Sequence, residues 1–94
     1  IPNQFSVMQN YPNPFNPNTM IIYRLLSYGH VKIDIIDYRG RHIKSLVNQY
    51  VDAGVSKIEW NSTNDNGENV AAGVYIYKIE TSSYAVSKKM ILLK

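Results

Sequence analysis

Hydrophobic and polar residues alternate with a period of two along most of this chain. Because successive side chains of a strand point to opposite faces, the alternation predicts strands with one buried side. Four segments show it clearly, with in-phase residues Ile21, Tyr23 and Leu25; Val31, Ile33 and Ile35; Ile58 and Trp60; and Tyr75, Tyr77 and Ile79. A fifth segment is weaker, with Ile43, Ser45 and Val47 alternating with Lys44 and Leu46. The in-phase apolar residues form the predicted core.

Turn-forming residues separate these segments, notably at Gly40, Gly54 and Gly67. A short strand around Ser6–Met8 and a last strand at roughly Ala85–Leu93 bring the total to about seven, spaced about a dozen residues apart. No window of about 11 residues has convincing helical periodicity. The prediction is an all-β fold, an Ig-like antiparallel β-sandwich, in a single domain spanning residues 1–94.

A segment rich in proline and asparagine, here called the Pro-Asn box (Gln9–Thr19), lies before the second strand. It contains three prolines and four asparagines around Tyr11 and Phe15. Proline fixes φ and lacks a backbone donor, and it pushes the preceding residue into extended geometry, so the box predicts a rigid, kinked loop. We expect Tyr11 and Phe15 to be largely buried anchors. Three side chains are expected to cap backbone groups in successive turns: Asn13, Asn16 and Asn18.

The sequence ends on an apolar segment flanked by lysines. Lys88 and Lys89 precede Met90–Leu93, and Lys94 is the last residue. An edge strand can be paired by another chain, and flanking charges discourage indiscriminate pairing. The segment therefore has two compatible interpretations, a recognition element or the strand that closes the sheet.

Composition narrows the class of protein. A chain of 94 residues is one domain that buries only about 60–65% of its unfolded surface, which leaves no deep cleft between lobes. The absence of cysteine excludes disulfides and thiolate metal sites. No apolar run approaches the roughly 18 residues of a spanning helix, and no signal peptide opens the sequence. Because Ile1-Pro2-Asn3 lacks an initiator Met, we expect a piece of a longer protein.

The charge is mildly basic, with a net charge of +3 and a pI of about 9.2. Ten basic residues are scattered among seven acidic ones. A nucleic-acid-binding protein usually concentrates its basic residues on one helix or stripe, so no nucleic-acid partner is expected. Solvated strand faces and protected sheet edges account for the bases.

No catalytic constellation emerges from the sequence, so neither an enzyme, a cofactor nor a metal is expected. His30 and His42 flank different strands and lack metal-ligand spacing, which predicts exposed strand-end residues. No GxSxG elbow or glycine-rich phosphate loop is present. Asp65–Glu68 resembles part of an acidic calcium loop; a turn is favoured and calcium stays the alternative. Asn61-Ser62-Thr63 fits an N-glycosylation motif, a weak match.

Eight tyrosines and one tryptophan raise the alternative of a carbohydrate-binding platform. Four aromatic residues in phase with aliphatic ones are instead expected in the core, where their polar atoms need partners: Tyr23, Trp60, Tyr75 and Tyr77. Tyr75, after Ala71-Ala72-Gly73, is our candidate for the backbone-bonded tyrosine corner of Ig-like sandwiches. Four others are expected to be exposed in different turns, which argues against one flat platform: Tyr28, Tyr38, Tyr50 and Tyr84.

An ordered set of motifs resembles one bacterial family. The motifs are Gln9-Asn10-Tyr11-Pro12-Asn13-Pro14-Phe15-Asn16-Pro17; Thr19, Ile21 and Tyr23; the Ile35–Gly40 strand and turn; Gly54; Trp60; the Asp65–Gly67 turn; Ala72-Gly73-Val74-Tyr75; and Lys89–Lys94. The set resembles the type IX secretion system C-terminal sorting domain (type A), which is similar in sequence to the Ig-like domain of the flagellar hook-capping protein. The resemblance runs from about Val7 to Lys94. It departs from the family at Leu26–Gly29, where a proline-containing turn is common, and at Asn61, where an acid is common.

The resemblance implies a role in protein export. Such domains sit at the C-terminus of exported enzymes and adhesins of the Bacteroidetes and related bacteria. They pass through the periplasm to an outer-membrane translocon, and a sortase-like cysteine protease commonly removes them and can attach the cargo to the surface. The implied partners are that translocon, that protease and a covalently linked upstream cargo domain. The implied destination is the cell surface or the extracellular space.

The resemblance also implies which residues matter. By position, candidate translocon-recognition residues are Gly73, Tyr75, Lys88, Lys89, Met90, Ile91, Leu92, Leu93 and Lys94. The structural motif residues are Tyr11, Pro12, Asn13, Pro14, Phe15, Asn16, Pro17 and Trp60. The alternative functions are an Ig-like spacer and a carbohydrate-binding accessory module of a secreted hydrolase or adhesin.

Overall fold

Two antiparallel sheets stack into a sandwich in the computed structural model, which describes residues 5–93. The strands are β1 (Ser6–Val7), β2 (Thr19–Leu25), β3 (Gly29–Asp37), β4 (His42–Val51), β5 (Gly54–Trp60), β6 (Gly73–Glu80) and β7 (Ala85–Leu92). One sheet has the order β1-β2-β5 and the other β4-β3-β6-β7. The predicted all-β sandwich of seven strands is confirmed, and the described residues contain no helix that could span a membrane.

The core lies between the sheets and consists mostly of residues that the alternation placed in phase, joined by Phe15, Met90 and Leu92. The predicted inward residues of β2, β3 and β6 are all buried, and Trp60 at the end of β5 has no exposed surface. The pairing of β3 with β6 sets Ile33 opposite Ile79 and Ile35 opposite Tyr77. A slip of one residue would expose this whole apolar set, so burial fixes the register.

Strand β4 departs from the predicted alternation. Its pairing with β3 shifts register between Ile33 and Asp34 and again between Ile35 and Ile36. As a result Leu46 and Val47, which are neighbours in sequence, are both half-buried. An irregularity of this kind changes which side chains face inward, so a strict period of two does not hold in an edge strand that contains one.

The connections divide between two ends of the sandwich. One end, here called the motif end, carries the Pro-Asn box, the β3–β4 turn at residues 38–41, the 61–72 loop and the C-terminal end of β7. The opposite end, here called the tyrosine end, carries Phe5 and the turns at residues 26–28, 52–53 and 81–84. The sequence motifs that resemble the sorting domain fall mostly at the motif end.

Candidate recognition site at the motif end

The Pro-Asn box runs beside β7 and hydrogen-bonds to its outer edge. The Phe15 N–H donates to the Ile91 carbonyl at 3.0 Å, and the Leu93 N–H donates to the Phe15 carbonyl at 2.8 Å. Phe15 thereby forms a parallel bridge with Leu92. The strand β7 is an edge strand of its sheet, so this contact occupies backbone groups that would otherwise be open to another chain.

Two side chains extend the same contact along β7. The Ile91 N–H donates to Asn13 Oδ1 at 3.0 Å, and Gln9 Nε2 donates to the Lys89 carbonyl at 2.9 Å. The outer edge of β7 is therefore covered from Lys89 to Leu93. This limits the β-augmentation anticipated from sequence, because a partner strand could pair there only after displacing the box.

A buried asparagine holds the box in shape. Asn10 is 2% exposed, and its Nδ2 donates to Thr19 Oγ1 at 2.8 Å and to the Pro12 carbonyl at 3.3 Å. The Thr19 hydroxyl donates to the same carbonyl at 2.9 Å. The Asn10 N–H donates to the Tyr77 hydroxyl at 3.0 Å, which itself donates to the Met8 carbonyl at 3.0 Å. This network joins the box to the core of the opposite sheet.

Of the two predicted anchors of the box, one is buried and the other is exposed. Phe15 is buried, with 2% of its surface exposed, which confirms that prediction. Tyr11 is 76% exposed, so its predicted burial is wrong. Its backbone pairs with that of Met20 through bonds of 3.0 and 2.9 Å, which gives the segment strand alternation. Asn10 takes the inward position, so the next side chain must point outward.

The predicted asparagine caps are also largely wrong. Asn13 binds the backbone of β7 rather than its own turn. Within residues 5–93, Asn16 and Asn18 make no side-chain hydrogen bond, and both are exposed. The residues that do cap the box are Asn10 and Thr19, which the sequence analysis named as family motif residues but not as caps. A pair of small polar residues that flank a proline run was the available signal.

An aromatic cluster fills the core beneath the box. The ring centroids of Phe15 and Trp60 are 5.8 Å apart, and those of Trp60 and Tyr75 are 5.3 Å apart in an edge-on arrangement. The Trp60 indole N–H donates to the Thr63 carbonyl at 2.9 Å. The Tyr75 hydroxyl donates to the Ala71 carbonyl at 2.6 Å, which confirms the tyrosine corner. Burial raises the pKa of Tyr75, with a smaller contribution from the charge of Asp37.

The terminal strand presents only some of its candidate residues to a partner. Met90 and Leu92 are buried, as is Tyr75 beside them, so the folded domain cannot offer these side chains for recognition. Lys89 is exposed, Ile91 is 42% exposed and Leu93 is 50% exposed. Lys88 is half-buried, and Lys94 lies outside the described residues. The alternation of β7 thus separates structural from accessible positions.

The accessible residues of β7 continue onto an apolar surface of the neighbouring strands. Ile91 lies opposite Val74, Lys89 lies opposite Ile76, and Ile76 lies opposite Ile36 on the next strand. Tyr38, Val74, Ile76 and Lys89 also line one shallow depression. We call this surface the outer patch and define it by Ile36, Tyr38, Val74, Ile76, Lys89 and Ile91. Its residues outside β7 were not among the predicted site residues, although apolar residues in the polar phase of β3 and β6 were a readable signal.

Gly73 is the first residue of β6 and pairs with Leu92 at the end of the neighbouring strand β7. Its φ of 150° lies in a region that residues with a side chain rarely adopt. The backbone conformation, rather than contact with a partner, explains why glycine stands at this candidate position.

The carboxylate of Asp37 fixes the β3–β4 turn, which carries Tyr38 of the outer patch. Asp37 accepts bonds from the N–H groups of Arg39 and Arg41, both at 2.9 Å, and from Arg41 Nε at 3.0 Å. Desolvation raises the pKa of Asp37, but these bonds and the Arg41 charge outweigh it, so the net pKa is lowered. The turn that carries Tyr38 is therefore held by local polar contacts.

The 61–72 loop is tied to β4 by its acidic residue. Asp65 accepts bonds from the Ser45 N–H at 2.9 Å and from His42 Nε2 at 2.7 Å. The Ser45 bond and then the His42 bond lower the pKa of Asp65. Asn64 Oδ1 accepts from the N–H groups of Asn66 and Glu68, both at 3.0 Å, as in an Asx turn. The turn interpretation of Asp65–Glu68 therefore has direct support. No cluster of three potential metal ligands occurs within residues 5–93.

The fold is similar to that of three solved structures. Latent dimeric PorU from Porphyromonas gingivalis matches with 25% identity and a TM-score of 0.78, over 95% of this chain and 9% of PorU. PorZ, a surface component of the type IX secretion system of that bacterium, matches with 20% identity and a TM-score of 0.64, over 94% and 11%. The hook-capping protein FlgD from Xanthomonas campestris matches with 21% identity and a TM-score of 0.64, over 93% and 64%. The chain thus spans about a tenth of PorU and PorZ.

No curated protein sequence is a significant match. A family model described as the secretion system C-terminal sorting domain matches residues 9–93, from the Pro-Asn box to the end of β7. That range contains both the Pro-Asn box and β7, the strand that the box covers. The contact between the two shapes the motif end. Members of this family are sorting tails rather than catalysts, and membership implies export to the cell surface or extracellular space. The chain belongs to the secretion system C-terminal sorting domain family, the C-terminal sorting signals of type IX secretion.

Proposed function

We propose that this domain carries a covalently linked upstream cargo from the periplasm through the type IX outer-membrane translocon, and that the translocon reads the outer patch. The observation that carries the proposal is the continuity of Lys89 and Ile91 on β7 with Val74 and Ile76 on β6. Family membership supports the transport role. Removal of the domain by a sortase-like cysteine protease, followed by surface attachment of the cargo, is part of the same proposal.

The chemistry of the outer patch suits a protein partner. The exposed side chains of Val74 and Ile91 and the half-buried ones of Ile36 and Ile76 give an apolar contact area. Protein interfaces gain most of their binding energy from a few desolvated anchors. Lys89 adds a positive charge on the edge strand β7, at the margin of the patch, and Arg39 lies over the Tyr38 ring at 5.4 Å from its centroid. A partner surface that is apolar with acidic groups at its margin complements this arrangement.

The buried candidate residues and Gly73 act through the fold. Met90 and Leu92 anchor β7 in the core, and Tyr75 and Gly73 pair with them from the adjacent strand β6. Their replacement would impair sorting by displacing Ile91 and Lys89 rather than by removing a contact. The two interpretations of the terminal strand, recognition and closure of the sheet, are thereby assigned to alternate residues of one strand.

A secretion assay with matched variants tests the proposal. A fluorescent reporter with a periplasmic export signal, fused ahead of residues 1–94, is expressed in a host with the type IX machinery. We expect the reporter in the medium or on the surface, and at least tenfold less of it there for Ile91→Asp combined with Lys89→Glu. The control is Val55→Asp combined with Lys57→Glu, a pair of exposed residues on the other sheet.

Each outcome has a defined meaning once folding is verified by the melting temperature of each purified domain. Normal export of the folded Lys89/Ile91 variant would show that the outer patch is not read. Periplasmic retention of the unaltered fusion would refute the sorting role and favour the alternative of an Ig-like spacer. Loss of export in the control variant as well would assign recognition to the general charge of the domain.

A further inference from the structure

Exposed aromatic rings gather at the tyrosine end, where the sequence placed them in separate turns. Tyr28 stacks on Tyr50 with ring centroids 5.5 Å apart, and His30 meets Tyr50 edge-on at 5.3 Å. Phe5 stacks on Tyr84 at 5.1 Å with an angle of 12° between the rings. Tyr28, Tyr50 and Tyr84 are 64%, 62% and 46% exposed. The folded chain thus brings the rings together in a way that the turns alone do not indicate.

A cleft of about 200 Å³ runs between the two stacked pairs. One wall is the β2–β3 turn with Tyr28, and the other is the β6–β7 turn with Tyr84. Its volume is below the roughly 300–1,000 Å³ of pockets for drug-sized ligands, so it suits a single ring-sized group, either free or at the end of an oligomer.

The polar side chains of the cleft are hydroxyls and the ring of His30. Ser27, Ser82 and Ser83 line it, all three are exposed, and none of their hydroxyls is hydrogen-bonded within the described part of the chain. The backbone of the β6–β7 turn is already satisfied, because the Thr81 hydroxyl accepts from the N–H groups of Ser83 and Tyr84. Among residues 5–93, no lysine, arginine, aspartate or glutamate lines the cleft. The lining therefore favours an uncharged, hydroxyl-rich ligand over a phosphate or a nucleic acid.

We propose that this cleft is a binding site for a neutral saccharide, with one sugar ring against the exposed aromatic rings of Tyr28 and Tyr84. The apolar C–H face of a pyranose stacks on an aromatic ring, while its hydroxyls exchange hydrogen bonds with serine hydroxyls and the His30 ring. Tyrosine suits this role because it presents a flat apolar face together with a polar group. Tyr50 positions Tyr28 by stacking behind it. The site lies at the end of the sandwich opposite to the outer patch, so it is independent of the sorting function.

The test is a titration of the isotope-labelled domain followed by amide chemical shifts. The probes are the methyl glycosides of glucose, galactose, mannose and N-acetylglucosamine, and the disaccharides cellobiose and N,N′-diacetylchitobiose. We expect at least one probe to give saturable shifts confined to residues 26–30 and 81–84. Saturable shifts centred elsewhere, or no saturable shift with any of the six probes, would overturn the proposal.

Matched tyrosine variants locate the site. Tyr28→Ala and Tyr84→Ala are each expected to weaken binding at least about tenfold, whereas Tyr11→Ala, which removes an exposed tyrosine at the motif end, leaves it unchanged. The turn bonds around Tyr84 are made by its backbone, so the substitution preserves them. Melting temperatures verify the fold of each variant. Equal weakening by Tyr11→Ala, or undiminished binding by Tyr28→Ala and Tyr84→Ala, would contradict the placement of the saccharide in this cleft.

Discussion

The two ends of the sandwich use the same kinds of residue in opposite ways. At the motif end, Phe15, Trp60 and Tyr75 pack together with at most 6% of their surface exposed. At the tyrosine end, Tyr28, Tyr50 and Tyr84 stack in the open. The difference follows from the loops: the Pro-Asn box and the 61–72 loop are long enough to fold over the first cluster, whereas the strand connections at the tyrosine end that the structure describes are short turns.

The contrast separates stability from accessibility. A ring at the motif end contributes buried area, aromatic contacts and a satisfied polar atom, as the Trp60 indole shows by donating to the Thr63 carbonyl. Tyr28 and Tyr50 at the tyrosine end keep more than half of their surface in water, so removing either ring changes the folded and unfolded states similarly. Replacing an aromatic residue by alanine at each end, and comparing the two losses in the free energy of unfolding, therefore measures how much the covering loops stabilise the buried rings.

The largest expected effect is that of Trp60→Ala. Loss of a fully buried tryptophan should lower the free energy of unfolding by about 3–5 kcal/mol. The matched change Tyr28→Ala should cost no more than about 0.5 kcal/mol. Chemical denaturation with a fixed m-value measures both. Similar losses for the two variants would mean that the ends do not differ as their burial indicates.

A neighbouring pair of residues sharpens the comparison within the motif end. Asn10→Ala removes the buried partner of the Thr19 hydroxyl and should cost about 1–3 kcal/mol. Tyr11→Ala, one residue along, should stay within about 0.5 kcal/mol because the ring is exposed. Equilibrium unfolding checks the pair. A larger loss for Tyr11 than for Asn10 would restore the tyrosine as the anchor of the box.

A single side-chain bond tests how the box covers β7. Asn13→Ala removes the acceptor for the Ile91 N–H and should cost about 0.5–1.5 kcal/mol. Amide hydrogen exchange should accelerate at Ile91, while exchange in the β3–β6 ladder changes only as far as overall stability does. Asn16→Ala is the control, because its exposed side chain makes no hydrogen bond among residues 5–93. Unchanged exchange at Ile91 would show that Asn13 does not protect the strand.

The smallest effect on stability is expected from lowering the pH, and it should arise from two carboxylates at the motif end. The pKa values of Asp37 and Asp65 are lowered in the folded protein, so each carboxylate stabilises the fold above its unfolded pKa of about 4. That contribution is lost as the pH falls through the lowered folded values. The melting temperature should therefore decline below about pH 4, and less steeply for Asp37→Asn. Identical pH profiles for that variant and the unaltered domain would contradict the assignment.

Much of the fold follows from residues close together in the sequence. Alternation in β2, β3 and β6 identified their buried faces because a strand exposes each face at every second residue. The tyrosine corner was readable because Tyr75 and its acceptor Ala71 are only four residues apart. The sorting-domain resemblance depends on the order of motifs along the chain, so the sequence alone identifies the family.

Only the tertiary structure decided what the terminal strand and the tyrosines present to a partner. Tyr11 was misassigned because its inward or outward direction depends on pairing with Met20 and on the buried position of Asn10. The contact of the box with β7 joins residues almost 80 positions apart, from Asn13 to Ile91, and leaves no local pattern. The gathering of Tyr28, Tyr50 and Tyr84 likewise depends on three separate turns or strands meeting at one end. Local alternation determines which side of a strand is apolar, whereas the arrangement of loops in space determines which apolar side chains are covered.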